Sequence, residues 1–311
     1  MKLGLIRMPD VNPLRGQEST VNAQLGLADS LGFELMYMPK IEPIRFADIK
    51  SVQTNHLRIG LDASAFGSMS PRDTEVAIRS VNDALGGQLC LGVQMCHGNS
   101  STKNKADAQN FETLFSHDPH LEKTSSRYPM KPPRPEIIGL PMTGAPQEVA
   151  TAAIRGYLPL TPSWLGHSEA AHHWPAIVSG ATSALRRARP ADWQIARSIV
   201  IHDDPEVVRS YVFGPRSPLR MHYARLAQDR LISPDIDHHL RKLVIAGSAG
   251  KVAEDLLALQ EVVGEIGTLH LLDPAGRDPE MTRNTMVRLA EDVMPLITTS
   301  DAQSNKELER T

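Results

Sequence analysis

At 311 residues, with 41% hydrophobic and 22% charged side chains, the chain has the balance of a globular protein long enough to bury a sizeable core, as one large domain or two ordinary ones. Lys plus Arg number 33 against 36 Asp plus Glu, a formal net charge of −3 that lacks the basic footprint of a nucleic-acid binder. No apolar run reaches the roughly 20 residues of a membrane span, the opening MKLGLIRMPDVN has no signal-peptide core, and Cys90 and Cys96 are too few for a disulfide scaffold, so reduced thiols and a cytoplasmic location are expected.

Along the chain, short apolar runs alternate with helical patterns. Residues 3–8 read as a strand and 21–31 as a helix with Leu25 and Ala28 on one face. Strands follow at 33–38 and 57–64. The next helix is expected at 71–85, where Pro71 follows Ser70 and Ala77, Val81 and Leu85 form the stripe. Further strands are expected at 89–95, 136–141, 157–161, 195–202 and 268–272. Eight strands with helices between most of them point to an α/β chain of the (β/α)8 TIM-barrel class, with a doubly wound open sheet as the rival. Residues 97–135 are polar and end in prolines, which marks an excursion after the fourth strand, and 299–311 read as a disordered polar tail.

The stretch GSAGKVAEDLLALQ at 247–260 follows a strand-like apolar run at 243–246 and has the look of a phosphate cradle. Its spacing fits neither G-x-G-x-x-G nor G-x-x-x-x-G-K-[ST], since Lys251 is followed by Val252. Local chemistry favours a cap: Ser248 starts a helix whose Val252, Leu256 and Leu259 share one face.

Several longer segments resemble the bacterial luciferase-like, flavin-dependent monooxygenases. GSAGKVAEDLLALQEVVGEIGTLHLL followed by DPEMTRNTMVRLAEDVMPLI is similar to that family's C-terminal end, including a Val-Met-Pro signature at Val293, Met294 and Pro295. LADSLGFELMYMP, SPRDTEVAIRSVNDALGGQLCLGV and GAPQEVATAAIRGYLPL resemble earlier helix and strand units in the same order, so the likeness spans most of residues 3–298. It implies a single luciferase-like barrel domain over 1–298 whose function sits at the C-terminal strand ends.

Mapped onto this chain, the resemblance puts Arg7, Met8 and Pro9 after the first strand and Met38, Pro39 and Lys40 after the second. Asp62, Ala63 and Ser64 end the third and would lie against the isoalloxazine. Gln94, with Met95, Cys96 and His97, ends the fourth; its amide would meet the flavin's reactive edge, a buried structural glutamine being the other reading. Cys96 reads as a small buried thiol rather than a nucleophile. After the fifth strand, Thr143, Gly144 and Ala145 precede a helix starting near Pro146 and would receive the flavin phosphate at a positive helix end. Relatives carry a polar pair at the positions of Gly144 and Ala145 and Ser or Thr where this chain has Glu148, a carboxylate unfavourable beside a phosphate. Trp164 and His167 follow the sixth strand, as a packing edge for the flavin and a proton-handling imidazole, which makes His167 and Gln94 the catalytic candidates. His167, His172 and His173 lack the carboxylate or cysteine partners of a zinc site, so no metal is expected. Luciferases proper carry Glu-His-His after the second strand; MPKIEP stands here, which argues against light emission more than against oxygen chemistry.

The expected activity is that of a two-component monooxygenase that takes reduced FMN from a separate flavin reductase and oxygenates a small organic substrate. The alternatives are a noncatalytic subunit of the same fold with weak or no flavin binding, and an oxidoreductase using a deazaflavin. A homodimer, or a heterodimer with a related subunit, is expected to pair through the helix at 71–85, with no nucleic acid and no membrane involved.

Overall fold

In the computed structural model the described residues are 1–8, 17–38, 54–66, 69–95, 135–273 and 278–298. Residues 97–134 of the excursion at 97–135, the tail at 299–311, and the residues Pro9, Pro39, Lys40 and Cys96 lie outside them.

Among the described residues the strands are β1 (Lys2–Arg7), β2 (Leu35–Met38), β3 (Arg58–Asp62), β4 (Leu89–Met95), β5 (Glu136–Pro141), β6 (Leu158–Thr161), β7 (Gln194–Ile201), β8 (Val244–Gly247) and β9 (Thr268–Asp273). Each of the first seven pairs in parallel with the next, Gly4 opposite Leu35, Leu35 opposite Arg58, Gly60 opposite Cys90 and so on to Leu160 opposite Gln194. Thr268 of β9 then pairs with both Gln194 and Lys2, which closes a ring of eight parallel strands. The open-sheet alternative is thereby excluded. β8 stands beside the ring and pairs with the distal half of β7, Ser198 opposite Val244.

The helices are α1 (Gln17–Ser30), α2 (Pro71–Ala84), α3 (Pro146–Arg155), α4 (His167–Ala171), α5 (His173–Ser183), α6 (Pro205–Phe213), α7 (Pro218–Gln228), α8 (Ile236–Leu243), α9 (Ala249–Val263) and α10 (Pro279–Arg288). Because side chains alternate across a strand, each barrel strand buries both faces. One set, including Ile6, Tyr37, Cys90, Ile138, Ala196 and Leu272, fills the interior. The other set, including Leu5, Met36, Leu91 and Ile195, packs under the helices. On α9 the predicted stripe is the buried one: Val252, Leu256 and Leu259 are all buried, each side chain contributing roughly 1.5–3 kcal/mol.

Two close approaches fix α3. A Cβ at Gly139 would collide with Ala152, and one at Gly180 with the carbonyl of Ala150. Only glycine at those positions lets α3 sit down on β5 and against α5, so the turn that precedes α3 is held from two sides.

The third strand is shorter than expected. It ends at Asp62, and Ala63 and Ser64 belong to a 3-10 turn, Ala63–Phe66. The cause is local: the Asp62 carboxylate accepts the N–H of Ser64 at 2.8 Å and turns the chain out of the sheet.

Candidate functional site

At the C-terminal end of the barrel, alternation carries Asp62 and Gln94 onto the interior face, two residues beyond Gly60 and Gly92, and both are partly exposed there. Gln94 stands opposite Leu140 in the β4–β5 register. Below them lies Tyr37, whose buried hydroxyl has no partner among the described residues; burial, with Asp62 nearby, holds its ionisation well above the ordinary tyrosine value. Ser64 is exposed, whereas Ala63 is buried in the outer cluster. Beside this mouth, Arg7 of β1 donates to Gln24 at 2.7 Å, Gln24 donates to Asp273 at 3.2 Å, and Thr282 donates to the same carboxylate at 3.2 Å. This buried relay ties α1 and α10 to the ends of β1 and β9.

The opposite end of the barrel is closed by its own polar pairs. Arg58 forms an ion pair with Glu136, and His270 meets Gln194 at 2.8 Å. Burial, with the Arg58 charge adding to it, pulls the His270 imidazole down to about 3.

The turn before α3 has the most elaborate construction. Gly144 adopts φ +81°, a left-handed conformation that side chains disfavour. Ala145, at the N-cap, offers no side-chain cap. Glu148, at the third helical position, folds back over the turn: its buried carboxylate accepts the N–H of Thr143 at 3.0 and 3.3 Å and that of Gly144 at 3.0 Å. In a capping box a glutamate at this position would accept the N–H of the N-cap residue; Glu148 reaches past it, to the two residues before. The Ala145 N–H goes to the Thr143 hydroxyl at 3.3 Å.

Behind the turn runs a chain of hydrogen bonds whose polarity is set by its ends. The Trp193 indole can only donate, and it reaches Thr161 Oγ1 at 2.9 Å; the Gly144 carbonyl can only accept, and His173 Nε2 lies 3.0 Å from it. His173 therefore carries its proton on Nε2, and its Nδ1 accepts from the Thr161 hydroxyl at 2.8 Å. Burial lowers the imidazole's pKa, the hydrogen bond to Gly144 opposes this, and Arg197 lowers it again.

The two candidates after the sixth strand have different surroundings. Trp164 packs with the cluster of β7, α7 and α8 that includes Val200 and Tyr223, and its buried indole nitrogen has no partner among the described residues. His167 starts α4, half-buried, and its pKa is lowered first by burial and then by Arg197; Asp255, Lys242 and Glu169 are its other charged neighbours. The structure thus brings Asp62 and Gln94 together at the mouth, groups Thr143, Gly144 and Ala145 at the α3 turn, and sets Trp164 and His167 toward α7, α8 and α9. Among the described residues no group of three or more His, Cys, Asp or Glu has a metal-holding arrangement. Cys90 lies in the interior with its thiol pushed up to about 12 by burial, unsuited to nucleophilic work.

Sequence reasoning missed three contributors. Thr161 and Trp193 are 32 residues apart and meet only through the β6–β7 register, which places Thr161 opposite Ile195. Arg197, buried on β7, donates to the carbonyls of Ala196 at 2.8 Å and Pro162 at 3.5 Å and leaves Nε and Nη2 without partners among the described residues; burial pulls its pKa down to about 10. A lone arginine in the apolar run QIARSIVI was the visible signal.

No protein-family model matches the chain, and no curated protein matches its sequence. Solved structures do match in three dimensions. The oxygenating constituent of 3,6-diketocamphane monooxygenase from Pseudomonas putida, a type II Baeyer-Villiger monooxygenase solved in complex with FMN, shares 18% identity over 95% of this chain and 98% of its own, with a TM-score of 0.74. The monooxygenase RslO1 from Streptomyces bottropensis shares 16% over 95% and 99%, at 0.71. The coenzyme F420-dependent tetrahydromethanopterin reductase from Methanopyrus kandleri shares 14% over 95% and 99%, at 0.63. Together with the closed ring of eight parallel strands, these likenesses show that the chain has the (β/α)8-barrel fold of those structures.

Proposed function

We propose that this protein is a flavin-type oxidoreductase, and more specifically a monooxygenase that receives reduced flavin from a separate reductase and oxygenates a small organic substrate. The observation that carries the reading is the pair Asp62 and Gln94 on the adjacent strands β3 and β4, Asp62 opposite Gly92 and Gln94 two residues further on, both on the interior face at the barrel's open end. An isoalloxazine edge presents an N–H donor among carbonyl and nitrogen acceptors; a carboxylate accepts from the first and an amide serves both kinds. The Tyr37 hydroxyl below them adds a buried group in want of a partner. The fold supports the same assignment, since a structure covering 98% of its own chain in the match is an FMN-bound monooxygenase. A bound flavin would supply the redox chemistry, while the protein orients the ring and excludes water.

The mouth fits the ring, but the α3 turn does not fit the phosphate of FMN. Its Thr143 and Gly144 N–H groups are already committed to the Glu148 carboxylate. That observation favours the second reading, a noncatalytic subunit of the same fold with weak flavin binding. Anaerobic titration with reduced FMN, reduced riboflavin and a deazaflavin separates the two. Micromolar binding of at least one, weakened about tenfold by Asp62→Ala or Gln94→Ala, is expected for the enzyme. If none binds below millimolar concentration, the subunit reading replaces it. Pairing through α2, whose Val76 is 60% exposed, belongs to the same proposal and is read by sedimentation.

A further inference from the structure

We propose that Glu148 is the resident anion of the α3 turn, so that this chain recognises its flavin by the ring and the sugar-like side chain and turns the terminal phosphate away. The inference rests on the flavin reading of the mouth, and the turn itself supplies the evidence. A helix start that receives a phosphate offers free N–H donors. Here one buried carboxylate takes the N–H groups of Thr143 and Gly144, with three contacts between 3.0 and 3.3 Å, and the Ala145 N–H goes to the Thr143 hydroxyl, in a turn whose N-cap has no side-chain cap of its own.

The turn has little freedom to rearrange around a second anion. Its shape depends on the left-handed Gly144, above which Leu165 would stand 3.2 Å from a Cβ. The Gly144 carbonyl is tied to His173, and α3 is seated on β5 and α5 by Gly139 and Gly180. A phosphate at this place would meet a negative charge at hydrogen-bonding distance of its own donors. To accept it, Glu148 would have to leave a buried position, and the donors would change hands rather than gain a partner. Glu148 therefore acts as the residue that decides between phosphorylated and unphosphorylated ligands, a positioning and specificity role.

The test compares FMN with riboflavin on three forms of the full chain: the parent, Glu148→Ser and Glu148→Gln. The parent is expected to bind riboflavin at least as tightly as FMN, within about threefold, whereas Glu148→Ser prefers FMN by about tenfold or more and Glu148→Gln falls between. The isosteric Gln variant keeps the comparison available if Ser at this buried position impairs folding. Inorganic phosphate is the second probe and needs no flavin. It should raise the melting temperature of Glu148→Ser by about 2–4 °C more than that of the parent. A parent that prefers FMN by about tenfold, unchanged by Glu148→Ser, overturns the proposal, and so does equal stabilisation of parent and variant by phosphate. If no form binds any flavin, the oxidoreductase reading fails, and the phosphate measurement still decides whether Glu148 fills the turn.

Discussion

Two turns in this barrel run from a strand through glycine into a helix, and they are built on opposite principles. Ahead of α9, Ser248 caps its own helix with an exposed contact from Lys251 N–H at 3.5 Å, and nothing further is asked of the turn. Ahead of α3, the N-cap is Ala145, and the donors are satisfied by Glu148 from inside the helix while His173, Thr161 and Trp193 brace the turn from behind. The α9 turn carries the more suggestive sequence, GSAGK, and the simpler chemistry. A glycine-bearing helix start thus says little about anion binding until the fate of its N–H groups is known, since donors already satisfied internally have little left to give a ligand.

The sharpest way to break the contrast is to remove the brace that only the α3 turn has. His173→Leu leaves the Gly144 carbonyl and the Thr161 hydroxyl without their partner, and a loss of about 2–4 kcal/mol in urea unfolding is expected. Acid should act in the same direction. Protonated His173 would donate from both nitrogens, so the Thr161 hydroxyl, already accepting from Trp193, would lose its acceptor. The folded-state pKa of His173 is lowered, so its contribution is complete above the unfolded value near 6.5 and is lost as pH falls from there through the folded value. His222 and His270, pulled by burial to about 4 and about 3, add acid sensitivity of the same sign. The informative quantity is therefore the difference between parent and His173→Leu, which should shrink as pH is lowered from 7 to 5. A gap that stays constant would show that the imidazole's protonation has no part in holding the turn.

Gly144→Ala tests the turn's backbone. At φ +81°, with Leu165 3.2 Å from the new Cβ, it should lose about 1–2 kcal/mol. The corresponding change at the other turn, Ser248→Ala, removes one long exposed hydrogen bond and should cost at most about 1 kcal/mol. Equal losses at the two sites would erase the distinction between a braced turn and a simple cap.

How much of this was legible in the sequence differs between fold and site for physical reasons. The barrel strands appear as apolar runs because both their faces are buried, and the α9 stripe appears because a helix repeats every 3.6 residues. Boundaries failed where a side chain ended an element, as Asp62 does for β3. At the α3 turn the sequence shows that Glu148 is present and acidic, and from charge alone it reads as an obstacle to a phosphate. What it hides is that the carboxylate folds back onto the same donors. His173 was hidden in another way. It stands beside His172 in the chain, but the helix turns His172 outward and buries His173, so a run of similar residues divides into one solvated group and one structural one. Trp164 and His167 follow the sixth strand in sequence, but remote parts of the chain surround them: Trp164 packs with the cluster of Val200 and Tyr223, and Arg197, Lys242 and Asp255 are the charged neighbours of His167.

The smallest expected effect asks whether the α9 turn has any function beyond its cap. Gly250 occupies the second position of α9, is exposed, and has nothing within 4 Å of the place a Cβ would take, so alanine fits without displacing a neighbour. Its φ is not among the positive values, so no backbone strain opposes the change. Alanine narrows the unfolded ensemble and suits the helix better, which predicts a gain of about 0.5–1 kcal/mol. Flavin and phosphate binding should be unaffected. Had the glycine been kept for close approach of a ligand to the backbone, the added methyl would weaken binding while leaving stability raised. Chemical unfolding and a flavin titration on this one variant therefore read the two roles separately, and a loss of affinity would move the α9 turn from the capped class into the functional one.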